Sequence, residues 1–278
     1  MNYAKKYGQW ALVTGGSTGI GLELAKQAAS CGMDIILVAR RAEVLARAQE
    51  AIQVQYKVKV KVIELDLTED AALGKLFDET KNLDVGMLVP NAGIELNGLF
   101  INTSLEANRK LLRLNSEVPM ALSHHYGRKM VVKNKGAILF VSSGFGYQAT
   151  PYIANYAATK AYVLALGEAL NVEFKEFGVD VTVLSPGLTK TSMTDDSTIN
   201  FNKLPVLSMA PDVVARLGFE ALGSKASVIA GFLNKFYVWQ NRFVPRSVPV
   251  KLFGMLVHRA IRKEKRVELL SVSAGERP

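Results

Sequence analysis

The chain has 278 residues, of which 49% are hydrophobic and 21% are charged, and its formal net charge is +9. This composition excludes an intrinsically disordered chain, because enough apolar surface is present to form a buried core. The single cysteine, Cys31, excludes an internal disulfide, and no group of cysteine and histidine residues has metal-ligand spacing. We therefore predict a folded protein without a metal site.

The positive charge is concentrated at the carboxyl end. Residues 242–278 hold nine Lys or Arg against three Glu, a net charge of +6, which leaves +3 for residues 1–241. No motif of a nucleic-acid-binding module accompanies this tail. We predict no nucleic-acid partner.

Neither a signal peptide nor a membrane span is predicted. The first apolar run is only as long as a strand, and no apolar stretch approaches the roughly 18 residues that a spanning helix needs. The expectation is a cytoplasmic protein.

Short apolar segments alternate with longer segments of helical periodicity, as expected for βαβ units and a parallel sheet. Continuously apolar runs such as 35–38 and 138–141 are typical of parallel strands buried on both faces. The predicted strands are Trp10–Thr14, Asp34–Ala39, Lys59–Leu65, Val85–Pro90, Ala137–Ser142 and Val179–Ser185. The predicted helices are Gly21–Gly32, Ala42–Tyr56, Leu105–Lys129, Asn155–Phe177 and a short segment near Pro211–Ala221.

The first predicted strand runs directly into a glycine-rich turn and a helix. Glycines let the backbone approach a pyrophosphate, and the helix amino terminus offers unpaired N–H groups and a positive dipole end. The spacing is Thr-Gly-x-x-x-Gly-x-Gly, not the general G-x-G-x-x-G fingerprint. The cofactor-binding residues predicted in this turn are Gly15, Ser17, Thr18, Gly19 and Ile20.

Two arginines, Arg40 and Arg41, end the second strand. An NAD-preferring enzyme carries an acidic residue here for the ribose hydroxyl. Guanidinium groups can instead hold a 2′-phosphate through bidentate, charge-assisted bonds. NADP(H) is therefore the expected cofactor, with Arg40 the stronger candidate and a solvated helix start the alternative.

The next two strands also end in candidate cofactor contacts. Asp66, followed by Leu67, could accept a hydrogen bond from the adenine amino group, although it could simply cap a helix. The small residues of Asn91-Ala92-Gly93 permit close backbone approach to a ribose, although they could form a plain turn.

A candidate acid/base pair lies at Tyr156 and Lys160. The i, i+4 spacing places both side chains on one face of a helix, where the ammonium would lower the pKa of the phenol toward neutrality. This spacing is common by chance on surface helices. Ser143, thirteen residues earlier at the end of the fifth strand, strengthens the case because its hydroxyl could bind the substrate oxygen.

Asn115 lies within a predicted helix, four residues before Pro119. Proline has no N–H, so the Asn115 carbonyl loses its helical partner and could hold a water that leads toward Lys160. A simple helix kink is the alternative.

After the sixth strand, a Pro-Gly turn brings the chain back to the same sheet edge. Pro186, Gly187, Thr189 and the hydroxyl of Thr191 could hold a nicotinamide carboxamide, although an ordinary turn would also explain the dipeptide.

Taken in order, these motifs resemble the short-chain dehydrogenases/reductases over roughly residues 8–222. The resemblance implies a single-domain Rossmann-type α/β fold, a doubly wound parallel sheet of about seven strands, and a homodimer or homotetramer. It also implies a catalytic centre in which Tyr156 transfers the proton, Ser143 orients the carbonyl oxygen, Lys160 also binds the nicotinamide ribose, and Asn115 assists. Where many members have Asn-Asn-Ala-Gly, this chain has Pro90-Asn91-Ala92-Gly93.

We divide the chain into a catalytic domain, residues 1–241, with a substrate loop at 188–210, and a basic extension, residues 242–278. Within Ser247–Arg266, apolar residues form one stripe with basic residues beside or opposite it, which predicts an amphipathic helix. This helix could contact an anionic membrane surface, cover a lipophilic substrate pocket or pack against a second subunit.

The sequence therefore predicts an NADP(H)-dependent oxidoreductase that interconverts a carbonyl and a secondary alcohol. The apolar stripe favours a lipophilic substrate, either 3-oxoacyl or ketosteroid-like. The alternative is a catalytically silent NADP(H)-binding sensor or interaction protein.

Overall fold

The computed structural model describes residues 2–191, 194, 199–200, 203–204, 206–241 and 243–261. Seven parallel strands form one sheet in the order β3-β2-β1-β4-β5-β6-β7. The strands are β1 Trp10–Thr14, β2 Asp34–Ala39, β3 Val60–Glu64, β4 Val85–Pro90, β5 Gly136–Val141, β6 Val179–Ser185 and β7 Ser227–Ile229. The predicted Rossmann-type doubly wound sheet is confirmed.

Helices cover both faces of the sheet. In chain order they are α1 Tyr3–Tyr7, α2 Gly19–Ser30, α3 Ala42–Tyr56, α4 Ala72–Thr80, α5 Leu105–Leu112, α6 Val118–Val132, α7 Ala154–Glu173, α8 Pro211–Ala221, α9 Phe232–Gln240 and α10 Ser247–Ala260. One buried cluster packs α2, α3 and α8 on one face of the sheet, and a second packs α4, α6 and α7 on the other. Within the described residues, no helix combines the length and apolar character needed to cross a membrane.

The predicted strand bounds are correct for β1, β2, β4 and β6. β3 lacks the outer residues Lys59 and Leu65, and β5 lies one residue earlier than predicted. β7 was not predicted from the sequence, because three residues are too few to show a strand pattern.

The predicted helix Leu105–Lys129 is interrupted. A π-helical turn at Arg113–Glu117 separates α5 from α6, and the Val118 amide donates to the Arg113 carbonyl, five residues back. Pro119 stands at the start of α6 and has no N–H to donate. The wider turn follows from this missing donor, and it places the side chain of Asn115 in the protein interior.

The sheet order reverses between β1 and β4. Chain connections run outward from β1 through β2 and β3, and then outward on the other side from β4 to β7. Such a switch point leaves a crevice at the carboxyl ends of the strands, where ligands bind in open α/β sheets. The predicted site residues follow these strand ends.

Candidate active site

The turn after β1 forms a cradle of exposed backbone. Gly15 and Gly19 have φ angles of +63° and +56°, which favour glycine. A Cβ at Gly21 would lie 2.2 Å from the Gly15 carbonyl oxygen. At the start of α2, Thr18 makes no side-chain capping bond and the first turn has no acidic residue. The helix N–H groups are therefore available to an anion.

A groove of about 570 Å³ extends from this cradle along the switch point. It brings together most of the residues predicted to bind the cofactor. These are Gly15, Ser17, Thr18, Gly19, Ile20, Arg40, Arg41, Asp66, Leu67, Asn91, Ala92, Gly93 and Thr191.

One end of the groove is basic. The exposed guanidinium of Arg40 lies 3.7 Å from the Asp66 carboxylate, and Arg41 is exposed at the start of α3 without a capping bond. Burial alone would raise the pKa of Asp66, but hydrogen bonds from Thr68 and the charge of Arg40 hold it below its usual range. Asp66 is therefore an anion that accepts two hydrogen bonds from Thr68. Both hydrogen bonds are local to the turn, and the predicted contact of Asp66 with adenine stays a prediction.

Asn91 joins the ends of β1 and β4. Its side-chain amide donates to the carbonyls of Thr14 and Gly15 at 3.0 and 3.2 Å. The Thr14 hydroxyl in turn accepts hydrogen bonds from the amides of Asn91 and Ala92. These bonds fix the floor of the groove, so Asn91 has a structural role beyond the plain turn considered from sequence.

Ser143 and Tyr156 meet at the inner end of the groove. The Ser143 hydroxyl accepts a hydrogen bond from the Phe145 amide at 3.2 Å and also bonds to the Tyr156 hydroxyl. Tyr156 is buried, with 8% of its surface exposed. Burial and the nearby Glu95 carboxylate raise its pKa above the ordinary value, and the Ser143 bond opposes this. The expectation that the pKa of Tyr156 is shifted toward neutrality is therefore wrong for this structure, because desolvation of the phenol is the largest effect.

Lys160 lies on the same face of α7 as Tyr156, as predicted. Its ammonium is 5.7 Å from the centre of the Tyr156 ring and donates to the Val141 carbonyl at 3.1 Å. Burial lowers the pKa of Lys160 to about 8, and the Glu95 carboxylate opposes the shift. The Ser142 hydroxyl donates to the Lys160 carbonyl at 2.7 Å and thereby anchors α7 to the end of β5.

Asn115 clamps the loop that follows β4. Its side-chain oxygen accepts from the Ile94 amide at 3.0 Å and its amide donates to the Ile94 carbonyl at 2.8 Å. The same amide reaches the Thr159 hydroxyl at 3.3 Å. Asn115 therefore links this loop to α7, beside Lys160. The water held by its backbone carbonyl stays a prediction.

A second, mainly apolar cavity of about 220 Å³ adjoins the groove. Ser143, Tyr156 and Lys160 lie in its wall, together with the predicted residues Pro186, Gly187, Thr189 and Thr191. Further wall residues come from the predicted substrate loop, at Leu188, Thr194, Leu204 and Val206. Others come from α9, the residue after it and α10, at Asn234, Tyr237, Val238, Asn241, Leu252, Phe253, Leu256 and Val257. Parts of the loop, at 192–193, 195–198, 201–202 and 205, lie outside the described residues.

The predicted amphipathic helix is α10, and its described part ends at Ala260. Residues 262–266 of the prediction lie outside the described residues. One stripe of α10 faces the cavity, and Val257 and Ala260 pack into a small core with Ile153 and Ile199. Of the three roles considered for this helix, covering a pocket is the one that these contacts match.

A model of the family described as short chain dehydrogenase matches residues 9–200. The chain belongs to the short-chain dehydrogenase family. It is accordingly an oxidoreductase that interconverts a carbonyl group and an alcohol.

Several relatives resemble this short-chain dehydrogenase over most of its length. A 7beta-hydroxysteroid dehydrogenase of Clostridium sardiniense is 34% identical over 94% of this chain and 100% of its own. A very-long-chain 3-oxoacyl-CoA reductase-like protein of Arabidopsis thaliana is 33% identical over 79% of this chain and 72% of its own. An inactive hydroxysteroid dehydrogenase-like protein 1 of Homo sapiens is 31% identical over 94% of this chain and 79% of its own.

Solved structures show the same architecture. A 7beta-hydroxysteroid dehydrogenase structure has a TM-score of 0.84 at 29% identity and covers 91% of this chain and 99% of its own. A short-chain dehydrogenase from Sphingobium yanoikuyae in complex with NADPH has a TM-score of 0.75 at 26% identity and covers 84% of this chain and 93% of its own.

Two residues of the site of this short-chain dehydrogenase, Glu95 and Asn234, were not predicted from the sequence. Glu95, two residues after the Asn91-Ala92-Gly93 turn, lines both the groove and the apolar cavity. Asn234 on α9 packs so closely on Gly187 that a Cβ there would lie 1.8 Å from its amide nitrogen. The sequence does contain a signal for Glu95, because this acidic residue stands between two apolar residues, Ile94 and Leu96, directly after a predicted ligand-binding turn. No comparable signal marked Asn234.

Proposed function

We propose that this short-chain dehydrogenase is an NADP(H)-dependent oxidoreductase that interconverts a carbonyl and a secondary alcohol on a lipophilic substrate. The observation that carries the proposal is the position of the hydrogen-bonded pair Ser143 and Tyr156. Both lie in the wall of the apolar cavity, beside the groove that fits a dinucleotide. A carbonyl compound in the cavity would place its oxygen at these two hydroxyls.

Four residues have distinct roles in this proposal. Tyr156 gives or takes the proton of the substrate oxygen, and Ser143 orients that oxygen by a hydrogen bond. Lys160 holds a positive charge beside Tyr156 and binds the nicotinamide ribose, while Asn115 fixes the loop at Ile94 and links it to α7. NADPH, when bound, supplies the hydride.

The raised pKa of Tyr156 favours the protonated phenol, the form that donates a proton to a ketone oxygen during reduction. The Ser143 bond favours the opposite form and moderates the shift. A positive charge on Lys160 would do the same. Protonated Tyr156 is therefore the resting form.

The preference for NADP(H) rests on the residues after β2. Arg40 and Arg41 line the groove, and no acidic residue occupies the end of this strand. The loose 3.7 Å contact between Arg40 and Asp66 leaves the guanidinium able to turn toward a phosphate. The similar structure from Sphingobium yanoikuyae contains NADPH, which supports the same choice here.

The substrate is proposed to be ketosteroid-like, with a 3-oxoacyl compound as the second candidate. The cavity wall is largely apolar, as a steroid or an acyl chain requires. The named relatives include 7beta-hydroxysteroid dehydrogenases and a 3-oxoacyl-CoA reductase-like protein. The greater coverage of the 7beta-hydroxysteroid dehydrogenase, 100% of its length, favours the steroid.

The two helices α9 and α10, which contribute to the wall of the cavity, carry features of a surface that contacts anionic lipid. Phe232 and Trp239 are exposed on α9, Phe243 is exposed shortly after it, and Val248 and Met255 are exposed on α10. The sequence has no acidic residue between 220 and 264, but eight Lys or Arg. We propose a cytoplasmic protein that contacts membranes peripherally through residues 247–266, so that a lipophilic substrate enters from the bilayer surface.

A homodimer or homotetramer remains our proposal for the assembly. Large apolar side chains are exposed at Phe100, Ile101, Leu105 and Leu112, at and before α5. Several exposed apolar side chains in one short segment suggest a contact between subunits. Sedimentation velocity of the purified protein tests this, and a monomer at all concentrations would contradict it.

The function is tested by reduction of 7-oxosteroids and 3-oxoacyl thioesters, followed by the loss of NADPH absorbance at 340 nm. We expect turnover of at least one 7-oxosteroid and slower turnover with NADH.

Tight NADPH binding without turnover of any ketone would instead support the silent sensor. Ser143, Tyr156 and Lys160 are all present in this chain, which argues against that alternative.

A further inference from the structure

Two amide side chains, those of Gln148 and Asn241, form a hydrogen-bonded pair in the wall of the mainly apolar cavity. Nδ2 of Asn241 donates to Oε1 of Gln148 at 3.1 Å, and Nε2 of Gln148 donates to the Ala149 carbonyl at 3.0 Å. Both members of the pair line the cavity, and both are half-buried. The chemistry proposed for Ser143 and Tyr156 uses neither of them.

The pair lies at a distance from the reacting end of the cavity. Directly after the catalytic serine, the amide of Gly144 donates to the Pro186 carbonyl at 2.8 Å. Asn234 of α9 packs closely on the next residue, Gly187. The first turn of α9 is therefore held beside the catalytic hydroxyls. Asn241 follows Asn234 by seven residues and has helical dihedral angles, so it lies two turns, or about 10 Å, farther along the helix.

One face of α9 connects the two ends of the cavity. Asn234, Val238 and Asn241 all line the cavity, as expected for positions four and seven residues apart on one helix face. The same helix contacts the turn Gly144–Tyr147, which leads directly to Gln148. A substrate whose carbonyl oxygen binds at the catalytic hydroxyls can therefore extend along α9 and present its other end to the pair.

The pair has hydrogen-bonding capacity that the protein does not use. No described residue bonds to Oδ1 of Asn241, and each of the two amide nitrogens carries a second N–H group without a described partner. An apolar framework that fills the cavity excludes water from these groups, and an amide left without partners costs free energy. A well-matched substrate therefore supplies both a donor and an acceptor at this position.

We propose that Gln148 and Asn241 form a second polar subsite, which binds a hydroxyl group at the end of the substrate remote from the reacting carbonyl. The hydroxyl group donates to Oδ1 of Asn241 and accepts from one of the unused N–H groups. The preferred substrate is then an apolar framework with a ketone at one end and a hydroxyl group roughly 10 Å away, the length of two turns of α9.

This inference rests on the proposed function, because it assumes that the apolar cavity holds the carbonyl substrate. It is tested by binding rather than turnover. The NADP⁺-loaded protein is titrated by calorimetry with 7-oxo-5β-cholan-24-ol and with 7-oxo-5β-cholane, at one fixed methanol content that keeps both dissolved. The two steroids differ only in the hydroxyl group at the end of the flexible side chain. NADP⁺ cannot reduce the ketone of either, so the affinities are measured without reduction.

We expect the wild type to bind the hydroxylated steroid more tightly, because two hydrogen bonds at the pair replace those that the hydroxyl group made to water. Asn241→Leu removes the acceptor at similar side-chain volume, so the ratio of the two affinities should fall about tenfold. Gln148→Leu keeps the Asn241 oxygen and should lower the ratio by a smaller factor. Gln240→Leu replaces the neighbouring amide on α9, which does not line the described cavity, and as the matched control it should keep the wild-type ratio.

Tighter binding of the steroid without the hydroxyl group by the wild type, or no detectable binding of either steroid, would overturn the inference. So would an unchanged ratio in Asn241→Leu. Failure of the proposed function would appear separately, as the absence of NADPH oxidation with either ketone despite an intact preference for the hydroxylated steroid that depends on Asn241. Circular dichroism and saturation with NADP⁺ confirm that each variant is folded and loaded before the titration.

Discussion

The Ser143 hydroxyl accepts a hydrogen bond from the Phe145 amide, and its own proton is thereby free to bond the oxygen of Tyr156. The two residues are thirteen positions apart in sequence, at the end of β5 and in the first turn of α7. A substrate oxygen that binds between them would replace the single hydrogen bond between Ser143 and Tyr156 with two, one from each hydroxyl group. This arrangement connects the fold to the proposed proton transfer.

Replacement of Gly21 should damage both stability and cofactor binding. Its Cβ would lie 2.2 Å from the Gly15 carbonyl oxygen and 2.4 Å from the Asn91 amide nitrogen, atoms that fix the groove. We expect Gly21→Ala to lower the free energy of unfolding by about 2 kcal/mol, in the range for overpacked cores, and to abolish measurable NADPH binding.

Gly74→Ala on α4 is the matched control for Gly21→Ala. This glycine is exposed and a Cβ would meet nothing within 4 Å. We expect it to raise the free energy of unfolding by about 0.5–1 kcal/mol without an effect on NADPH. Equal effects of the two substitutions in urea unfolding would contradict the structure of the turn.

Arg40 should set the preference between the two nicotinamide cofactors. If its guanidinium binds the 2′-phosphate, Arg40→Ala removes charge-assisted bonds and should weaken NADPH binding by roughly 10–100-fold, with little change for NADH. Fluorescence titration with both cofactors measures this. Arg47→Ala, at an exposed position on α3 paired with Glu43, should leave both affinities unchanged. A similar loss for NADH and NADPH would assign Arg40 a role other than phosphate recognition.

Glu95 should make the stability of the protein depend on pH. Burial raises its pKa to about 7 in the folded protein, from an ordinary value of 4.5. The native state therefore binds this proton more tightly than the unfolded state. The resulting stabilisation is complete below pH 4.5 and is lost as the pH rises through 7.

The side chain of the Glu95→Gln variant cannot ionise. The free energy of unfolding of this variant, relative to that of the wild type, should therefore increase by roughly 2 kcal/mol between pH 4.5 and pH 8, after allowance for partial solvation. Urea unfolding at the two pH values measures the difference. A constant difference between variant and wild type at both pH values would show that Glu95 has an ordinary pKa in the folded protein.

Much of the fold could be predicted from the sequence. Strands such as Asp34–Ala39 are buried on both faces and therefore read as continuous apolar runs, which is why their bounds are correct. β7 has three residues and no pattern of its own. The π-helical turn at Arg113–Glu117 depends on how Pro119 is accommodated by its neighbours, which periodicity does not reveal.

The parts of the site that a single short stretch of sequence forms could be predicted. The turn at Gly15 to Gly21 and the spacing of Tyr156 and Lys160 are local, and both groups lie where expected. Glu95 gains its importance only from tertiary contacts, through the clamp that Asn115 makes on Ile94. The pKa of Tyr156 was predicted in the wrong direction, because burial of the phenol could not be read from an i, i+4 spacing.

Tyr156→Phe tests the central claim most directly. This substitution removes only the hydroxyl group that is proposed to transfer the proton, and it keeps the ring buried beside Phe145. NADPH oxidation with a 7-oxosteroid is measured together with the affinity for NADPH. We predict that turnover falls at least about 100-fold, as expected for loss of a general acid, while NADPH binding changes less than about threefold. Turnover within a few-fold of the wild type would contradict the assignment of Tyr156 as the proton-transferring group.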